Sequence, residues 1–187
     1  IIAVPTPVKD DESPDVTYVE KAIQSIAPVL TKGNIVIIES TVPVGTTEWA
    51  ARELAKLRRD LRFPHQYGEN ADVAVAFSPE RVLPGRILTE LVQNDRSVGG
   101  MTKRCTIQAA QIYSSFVRGE IVMTSVRTAE MVKLTENAFR DVNIAFANEI
   151  AGIAGKLQVD PWEVIRIANR HPRVNILSPG PGVGAHC

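Results

Sequence analysis

Asn-Ile-Val-Ile-Ile-Glu (34–39), running straight into Ser-Thr-Val-Pro-Val-Gly-Thr-Thr (40–47), carries the main signal for the fold. Four consecutive branched apolar residues after Lys32-Gly33 match a strand buried on both faces, the kind found inside parallel sheets. Gly45-Thr46-Thr47 then opens a helix with Trp49, Leu54 and Leu57 among its apolar positions. Its charged end (Lys56, Arg58, Arg59, Asp60, Arg62) fits a solvated face. The same alternation continues on either side. Upstream, Ile1–Val4 is expected to be a first strand, and Ser13-Pro14-Asp15 to open a helix reaching about Leu30. Downstream, residues 72–77 predict a third strand, 78–86 a loop, Arg96–Val98 a short strand, 102–117 a helix and Glu120–Thr124 a further strand. Strands alternating with helices predict an α/β fold, a partial Rossmann-like parallel sheet covered on both sides.

From about Arg127 the pattern changes. Thr128 to roughly Lys156 has no proline, no glycine before Gly152, and apolar residues at helical spacing: Met131, Leu134, Ala138, Val142, Ala145, Phe146, Ile150 and Ile153. A helix of that length, roughly 40 Å, bridges domains or forms a dimer seam. Asp160-Pro161-Trp162-Glu163 then starts another helix, with cap, first-turn proline and third-position glutamate together. The expected organisation is a sheet domain over 1–125, then over 126–187 the long central helix and the start of an all-helical linker domain.

The chain has 187 residues, with 21 Lys+Arg against 21 Asp+Glu. That balance argues against a nucleic-acid partner or an anionic membrane surface, because either favours a clustered basic excess. No apolar run approaches the roughly 18–20 residues that span a bilayer. Two cysteines, Cys105 and Cys187, form no disulfide framework and fit a reducing compartment, so a cytoplasmic location is expected. The chain opens without methionine on an apparent core strand and closes on Gly-Pro-Gly-Val-Gly-Ala-His-Cys (180–187), so a piece of a longer protein is expected.

Four places carry candidate chemistry. The junction Glu39–Thr47 lies at the carboxyl edge of a parallel strand, where open α/β sheets bind ligands. Its glycine and threonines suit a ligand, and they equally suit an ordinary capped strand-to-helix loop. Thr6, just after the first strand, sits at the same edge. Ser78-Pro79-Glu80-Arg81-Val82-Leu83-Pro84-Gly85 follows the third strand and pairs a carboxylate with a guanidinium, or is simply a turn set by two prolines and a glycine. On the long helix, Lys133, Asn137 and Arg140 share one face, and a lysine beside an asparagine can hold an oxyanion. The polar side of an amphipathic helix has the same spacing. Cys187 ends a small-residue loop that presents a candidate nucleophile, although an inert thiol fits there too. Cys105, inside a helical pattern, is expected to be inert. His65 falls in an expected loop, His171 lies among polar groups suited to a phosphate or sugar, and His186 is not assigned as a base. No metal site is expected.

Taken together these segments resemble the nucleotide-sugar 6-dehydrogenases, the UDP-glucose/UDP-mannose dehydrogenase family. The resemblance rests on AVPTP (3–7), ESTVPVGTT (39–47), SPERVLPG (78–85), NDRSVGGMT (94–102), RTAEMVKLTENAFRDVNIAFANE (127–149), NRHPRVN (169–175) and PGPGVGAHC (179–187), in the family's order across essentially the whole chain. It implies NAD-dependent four-electron oxidation of a sugar CH2OH to a carboxylate, with UDP-N-acetyl-D-mannosamine the favoured substrate. It implies that Cys187 is the nucleophile, forming a thiohemiacetal and then a thioester, and that Lys133 and Asn137 stabilise the reacting oxygens. By the same resemblance Thr41 and Glu80 are associated with water and cofactor, and Thr6 and Thr47 touch NAD. Arg81, Val82, Arg140, His171, Arg173 and Gly184 line the nucleotide-sugar site, with Arg173 reaching it across a subunit boundary. The long helix is implied to be the scaffold of a homodimer.

There are departures. The family's G-x-G-x-x-G and its acidic partner are absent and would precede residue 1; the aspartate after the nucleophile and a second nucleotide-binding domain would follow residue 187. Pro84 stands where UDP-glucose-type members carry a second glutamate, and Ala185 where relatives carry glycine. Two function classes therefore stay open. The parent protein is a nucleotide-sugar dehydrogenase, acting on this or another UDP- or GDP-sugar, or the 187-residue chain by itself is a non-catalytic dimerisation and partial ligand-binding module.

Overall fold

The computed structural model describes residues 1–82 and 85–181. Among these, the elements run α1 (Thr17–Ile26), β1 (Ile35–Ile38), α2 (Thr46–Leu57), α3 (Pro64–Tyr67), β2 (Ala74–Phe77), α4 (Ile87–Gln93), β3 (Arg96–Gly100), α5 (Lys103–Ser114), β4 (Ile121–Ser125), α6 (Val126–Leu157) and α7 (Pro161–Ala168). The chain divides into two compact units, Ile1–Leu134 and Thr135 onward.

The first unit is an α/β sheet in the order β1-β2-β3-β4. Alternation along β1 and β2 explains its double burial. Val36, Ile38, Val75 and Phe77 pack into one apolar cluster with Val19, Ile23, Leu54 and Phe63, while Ile37 and Ala76 enter a second with Val98, Ala109 and Tyr113. Successive strand side chains point to opposite faces, so a continuous apolar run fills both.

Four expectations for this unit need correction. The sheet is not wholly parallel: β1 and β2 are parallel, as are β3 and β4, but β3 runs antiparallel to β2. Among its described residues the intervening segment holds only the seven-residue α4, a turn-around beside the sheet, whereas a parallel neighbour needs a full crossover. The first strand shrinks to a single bridge between Ile2 and Ile38. Ile2 pairs with backbone on both sides, to Ile37 O and from Glu39 N at 2.8 Å each, but Val4 pairs instead with the Ser40 hydroxyl, which interrupts the ladder. Finally, α1 starts at Thr17, because Pro14 closes a small hairpin against Val8 and is not part of the helix. His65, expected in a loop, sits in the short α3.

Glycine matters where β3 meets its neighbours. A Cβ on Gly100 would stand 2.2 Å from Thr106 N, so only hydrogen fits as α5 crosses the strand end.

In the second unit, α6 continues and α7 follows. The Asp160 carboxylate accepts from Trp162 N–H at 2.9 Å and Pro161 occupies the first turn, as the sequence pattern requires. The extended segment 175–180 is held by side-chain amides. Asn148 accepts from Gly180 N–H (2.9 Å) and donates to its carbonyl (2.8 Å); Asn169 does the same for Ile176 at 2.7 and 2.8 Å. Asn143 accepts from Leu177 N–H (2.8 Å) and donates to the Asn175 carbonyl (3.1 Å). Three asparagines thus supply what a neighbouring strand would.

Candidate functional site at the carboxyl edge of the sheet

The residues after Ile2, β1 and β2 converge at one sheet edge. The Thr6 hydroxyl donates to the Thr41 carbonyl at 2.6 Å, which joins two sequence candidates directly. Glu80 N–H donates to the Glu39 carbonyl (3.4 Å), and the exposed Glu80 carboxylate accepts from Val82 N–H. The Arg81 guanidinium donates to the Asp95 carbonyl at 3.0 Å, and Asn94 Nδ2 donates to the Arg81 carbonyl at 3.3 Å. The 78–82 loop is therefore braced on β1 and on the turn before β3.

Beneath that loop lies a polar group with no counterpart in the sequence expectations. Arg96, 5% exposed, donates to Glu39 Oε1 at 3.0 Å, and Tyr113 OH donates to the same oxygen at 2.6 Å. Burial and the Glu39 carboxylate push the Tyr113 phenol well above its ordinary range, so it stays protonated as a donor.

Thr47 is fully buried. Its hydroxyl and its N–H both donate to Glu130 Oε1, at 2.7 and 2.9 Å, and Gly45 N–H donates to Glu130 Oε2 at 2.6 Å. A helix N-terminus exposes unsatisfied N–H groups and carries partial positive charge, so a carboxylate is well placed there. Gly45 has φ +96°, a conformation that side-chain-bearing residues rarely adopt. One turn earlier on α6, Arg127 meets Glu48 of α2 with two bonds of 2.8 Å, which lower the Glu48 carboxyl below its usual range. These contacts escaped sequence reading. The available signal was a glutamate at a buried position of α6, beside the buried Val126 and Ala129.

Lys133, in the same unit, is half-buried and has no hydrogen-bond or ion-pair partner among the described residues. Asn137 is one turn further along α6, half-buried and likewise without a partner among them; Arg140 is exposed. His171 and Arg173 are both exposed, and Arg173 N–H donates to His171 Nδ1 at 3.3 Å. Cys187 and Gly184 lie outside the described residues, as does Pro84. Cys105 is buried, with its sulfur 3.2 Å from the Thr102 hydroxyl. Among the described residues no cluster has the composition of a metal site, and no helix is long and apolar enough to cross a membrane.

A dinucleotide fits this edge only in part. Thr6, Thr41 and Glu80 give it a polar rim, but at the start of α2 the Gly45 and Thr47 N–H groups are taken by Glu130 and the Thr46 N–H by the Pro43 carbonyl. The anion-binding position that a helix N-terminus supplies is therefore not free on α2.

Comparison with known proteins agrees with the topology and gives the family. Residues 1–117 match the UDP-glucose/GDP-mannose dehydrogenase family, NAD binding domain, and residues 127–187 match that family's central domain. The chain belongs to the UDP-glucose/GDP-mannose dehydrogenase family. It is 62% identical over 187 residues to a UDP-N-acetyl-D-mannosamine dehydrogenase of Escherichia coli (strain K12), and 60% identical to an NDP-N-acetyl-D-galactosaminuronic acid dehydrogenase of Ralstonia solanacearum. Both matches cover all of this chain and 44% of the relative. The structure of a UDP-D-ManNAc dehydrogenase from Pyrococcus horikoshii superposes with a TM-score of 0.90 at 50% identity, covering all of this chain and 43% of that one. The chain thus spans less than half the length of these relatives.

Proposed function

We propose that the protein to which this chain belongs oxidises the C6 alcohol of UDP-N-acetyl-D-mannosamine to the carboxylate, with NAD+ as oxidant. Residues 1–125 are its share of the NAD-binding domain, and 126–187 the central helix and the start of the domain that follows. The observation that carries this reading is Lys133: a half-buried ammonium with no partner among the described residues, followed one turn later by Asn137, likewise without one among them. The high identity to UDP-N-acetyl-D-mannosamine dehydrogenases supports the choice of sugar.

The chemistry assigns each residue a task. When bound, NAD+ would supply the hydride acceptor for both oxidations, alcohol to aldehyde and thiohemiacetal to thioester, with the hydroxyl proton released to water at each. The Cys187 thiolate adds to the aldehyde carbon, which restores the hydride-bearing tetrahedral centre that an aldehyde lacks. Loss of the second hydride leaves a thioester, and water attacks it to release the carboxylate and the thiol. Lys133 and Asn137 donate to the oxygen that gains charge in these steps. Thr41 and Glu80 hold the water, Thr6 and Glu80 sit toward the cofactor, and Thr47, whose hydroxyl and N–H are both given to Glu130, supports that edge from beneath. Arg81, Val82, Arg140, His171, Arg173 and Gly184 line the sugar-nucleotide side. The enzyme is a cytoplasmic homodimer joined along α6, whose Phe139, Val142, Phe146 and Ile153 side chains are more than half exposed in the single chain.

The test is turnover of UDP-N-acetyl-D-mannosamine by the full-length protein, expected to yield two NADH per uronate. Cys187→Ser is expected to stop acid formation after the first oxidation. Undiminished uronate production by that variant rules out the thiol mechanism. Turnover of only another UDP- or GDP-sugar would reassign the substrate. For the 187-residue chain alone, the filled N-terminus of α2 favours weak NAD+ binding and no turnover. Calorimetry checks this, and tight binding would count against it.

A further inference from the structure

We infer that Glu130 is a positioning residue for the oxidation: its carboxylate sets the register of α6 on the β1–α2 loop and so fixes where Lys133 stands. The inference rests on the reading of Lys133 given above and adds a residue to it.

Three observations converge. Glu130 is fully buried, yet its carboxylate makes three hydrogen bonds, all to one short stretch at the start of α2: Gly45 N–H, Thr47 N–H and Thr47 Oγ1–H. That stretch is the continuation of the loop carrying Thr41, which itself receives the Thr6 hydroxyl. Lys133 lies three residues beyond Glu130 on the same helix, hence on nearly the same side, and no described residue holds its head. An ammonium on a four-carbon stem is aimed only as well as the backbone beneath it. The backbone here is tied by Glu130 rather than by Arg127–Glu48, because that outer pair is mostly solvated on the arginine side and such pairs contribute little.

The chemistry explains why a carboxylate is used. The start of α2 offers two N–H groups and a hydroxyl pointing one way, and one carboxylate has enough lone pairs to accept all three. An apolar residue at 130 would leave those donors buried and unpaired, and a serine would not span the gap. A hydrogen-bonded clamp also has a narrower range of allowed geometries than apolar packing, so it limits sliding and rotation of α6. A small misplacement of a catalytic group costs far more in rate than in binding.

The experiment uses the full-length protein and compares wild type, Glu130→Gln, Glu130→Ala, Arg127→Ala and Lys133→Ala. Each is assayed for NADH production at a temperature where circular dichroism reports a folded protein. Glutamine keeps an acceptor for Thr47 but turns an N–H toward Gly45, so it is expected to lower kcat about tenfold. Alanine is expected to lower it about a hundredfold, and KM for the sugar nucleotide to change less than about threefold in both. Amide exchange at Gly45 and Thr47 should accelerate in the same order, and Arg127→Ala should leave kcat within about twofold of wild type. If Glu130→Ala does not fold, Glu130→Gln decides on the same criteria. A folded Glu130 variant with wild-type kcat, alongside an inactive Lys133→Ala, overturns the positioning role alone. A Lys133→Ala enzyme as active as wild type overturns the reading of the site, and this inference with it.

Discussion

Arg96 and Tyr113 meet on a single oxygen: the guanidinium lies over the phenol ring, 4.5 Å from its centroid, and both groups donate to Glu39 Oε1. The pair connects β3 and α5 to the end of β1, directly under the loop that carries Glu80. Arg96→Met keeps the apolar stem but strips the carboxylate of its charged donor. Breaking a buried pair on one side costs about 3 kcal/mol, and urea denaturation should show a loss of that order. Adding Glu39→Gln to that variant should recover part of it, since the uncompensated charge is then gone.

Ser40 substitutes for a strand. Its hydroxyl accepts from Val4 N–H at 2.8 Å and donates to Val4 O at 2.7 Å. Ser40→Ala leaves both backbone groups unpaired at a half-buried position, for an expected loss of about 2 kcal/mol. Thr6 sits two residues further on, so the same variant should loosen its bond to Thr41. Amide exchange at Val4, rising well above wild type, is the measurement.

Asp72 gives the first unit an acid-sensitive element. Arg62, through side-chain and backbone bonds, and Lys32 hold its carboxyl well below the ordinary aspartate range. A folded-state pKa lower than the unfolded one stabilises the fold above the unfolded value, about 3.9 for aspartate. That contribution is lost as pH falls from about 4 toward the folded value. Thermal melts between neutral pH and about pH 3 should therefore show a smaller decline for Asp72→Asn than for wild type, from a lower starting point.

Asn148 discriminates between shape and hydrogen bonding. Asn148→Asp keeps the acceptor for Gly180 N–H but sets an oxygen against the Gly180 carbonyl where a donor stood. It should be at least as damaging as Asn148→Ala despite its closer shape. Exchange at the Gly180 amide, faster in both variants and no slower in the aspartate, would show this; a wild-type rate in the aspartate variant would refute it.

Much of the frame was legible locally. Residues 34–39 announce a doubly buried strand because both faces demand apolar side chains, and Asp160-Pro161 announces a helix start because its cap lies within two residues. What stayed hidden depends on partners far along the chain. The start of α2 is capped by Glu130, and the start of α5 by Glu69, whose carboxylate accepts from Lys103 and Arg104 N–H. No local spacing rule anticipates a cap 34 or 83 residues away. The reversal of β3 was hidden for a related reason, since strand direction depends on the path of a connection rather than on the strand's own residues. At the site, Thr6 and Thr41 were legible as a pair because both follow strands at one edge. Glu39, Arg96 and Tyr113 were not, since each alone looks like an ordinary member of its element.

The asparagine grip on residues 175–180 has one more consequence. Carboxamides neither gain nor lose a proton anywhere in the range where proteins survive. Acid that uncouples Asp72 from Arg62 therefore leaves the hold on residues 175–180 as it was, and salt has no charge in those amide pairs to shield.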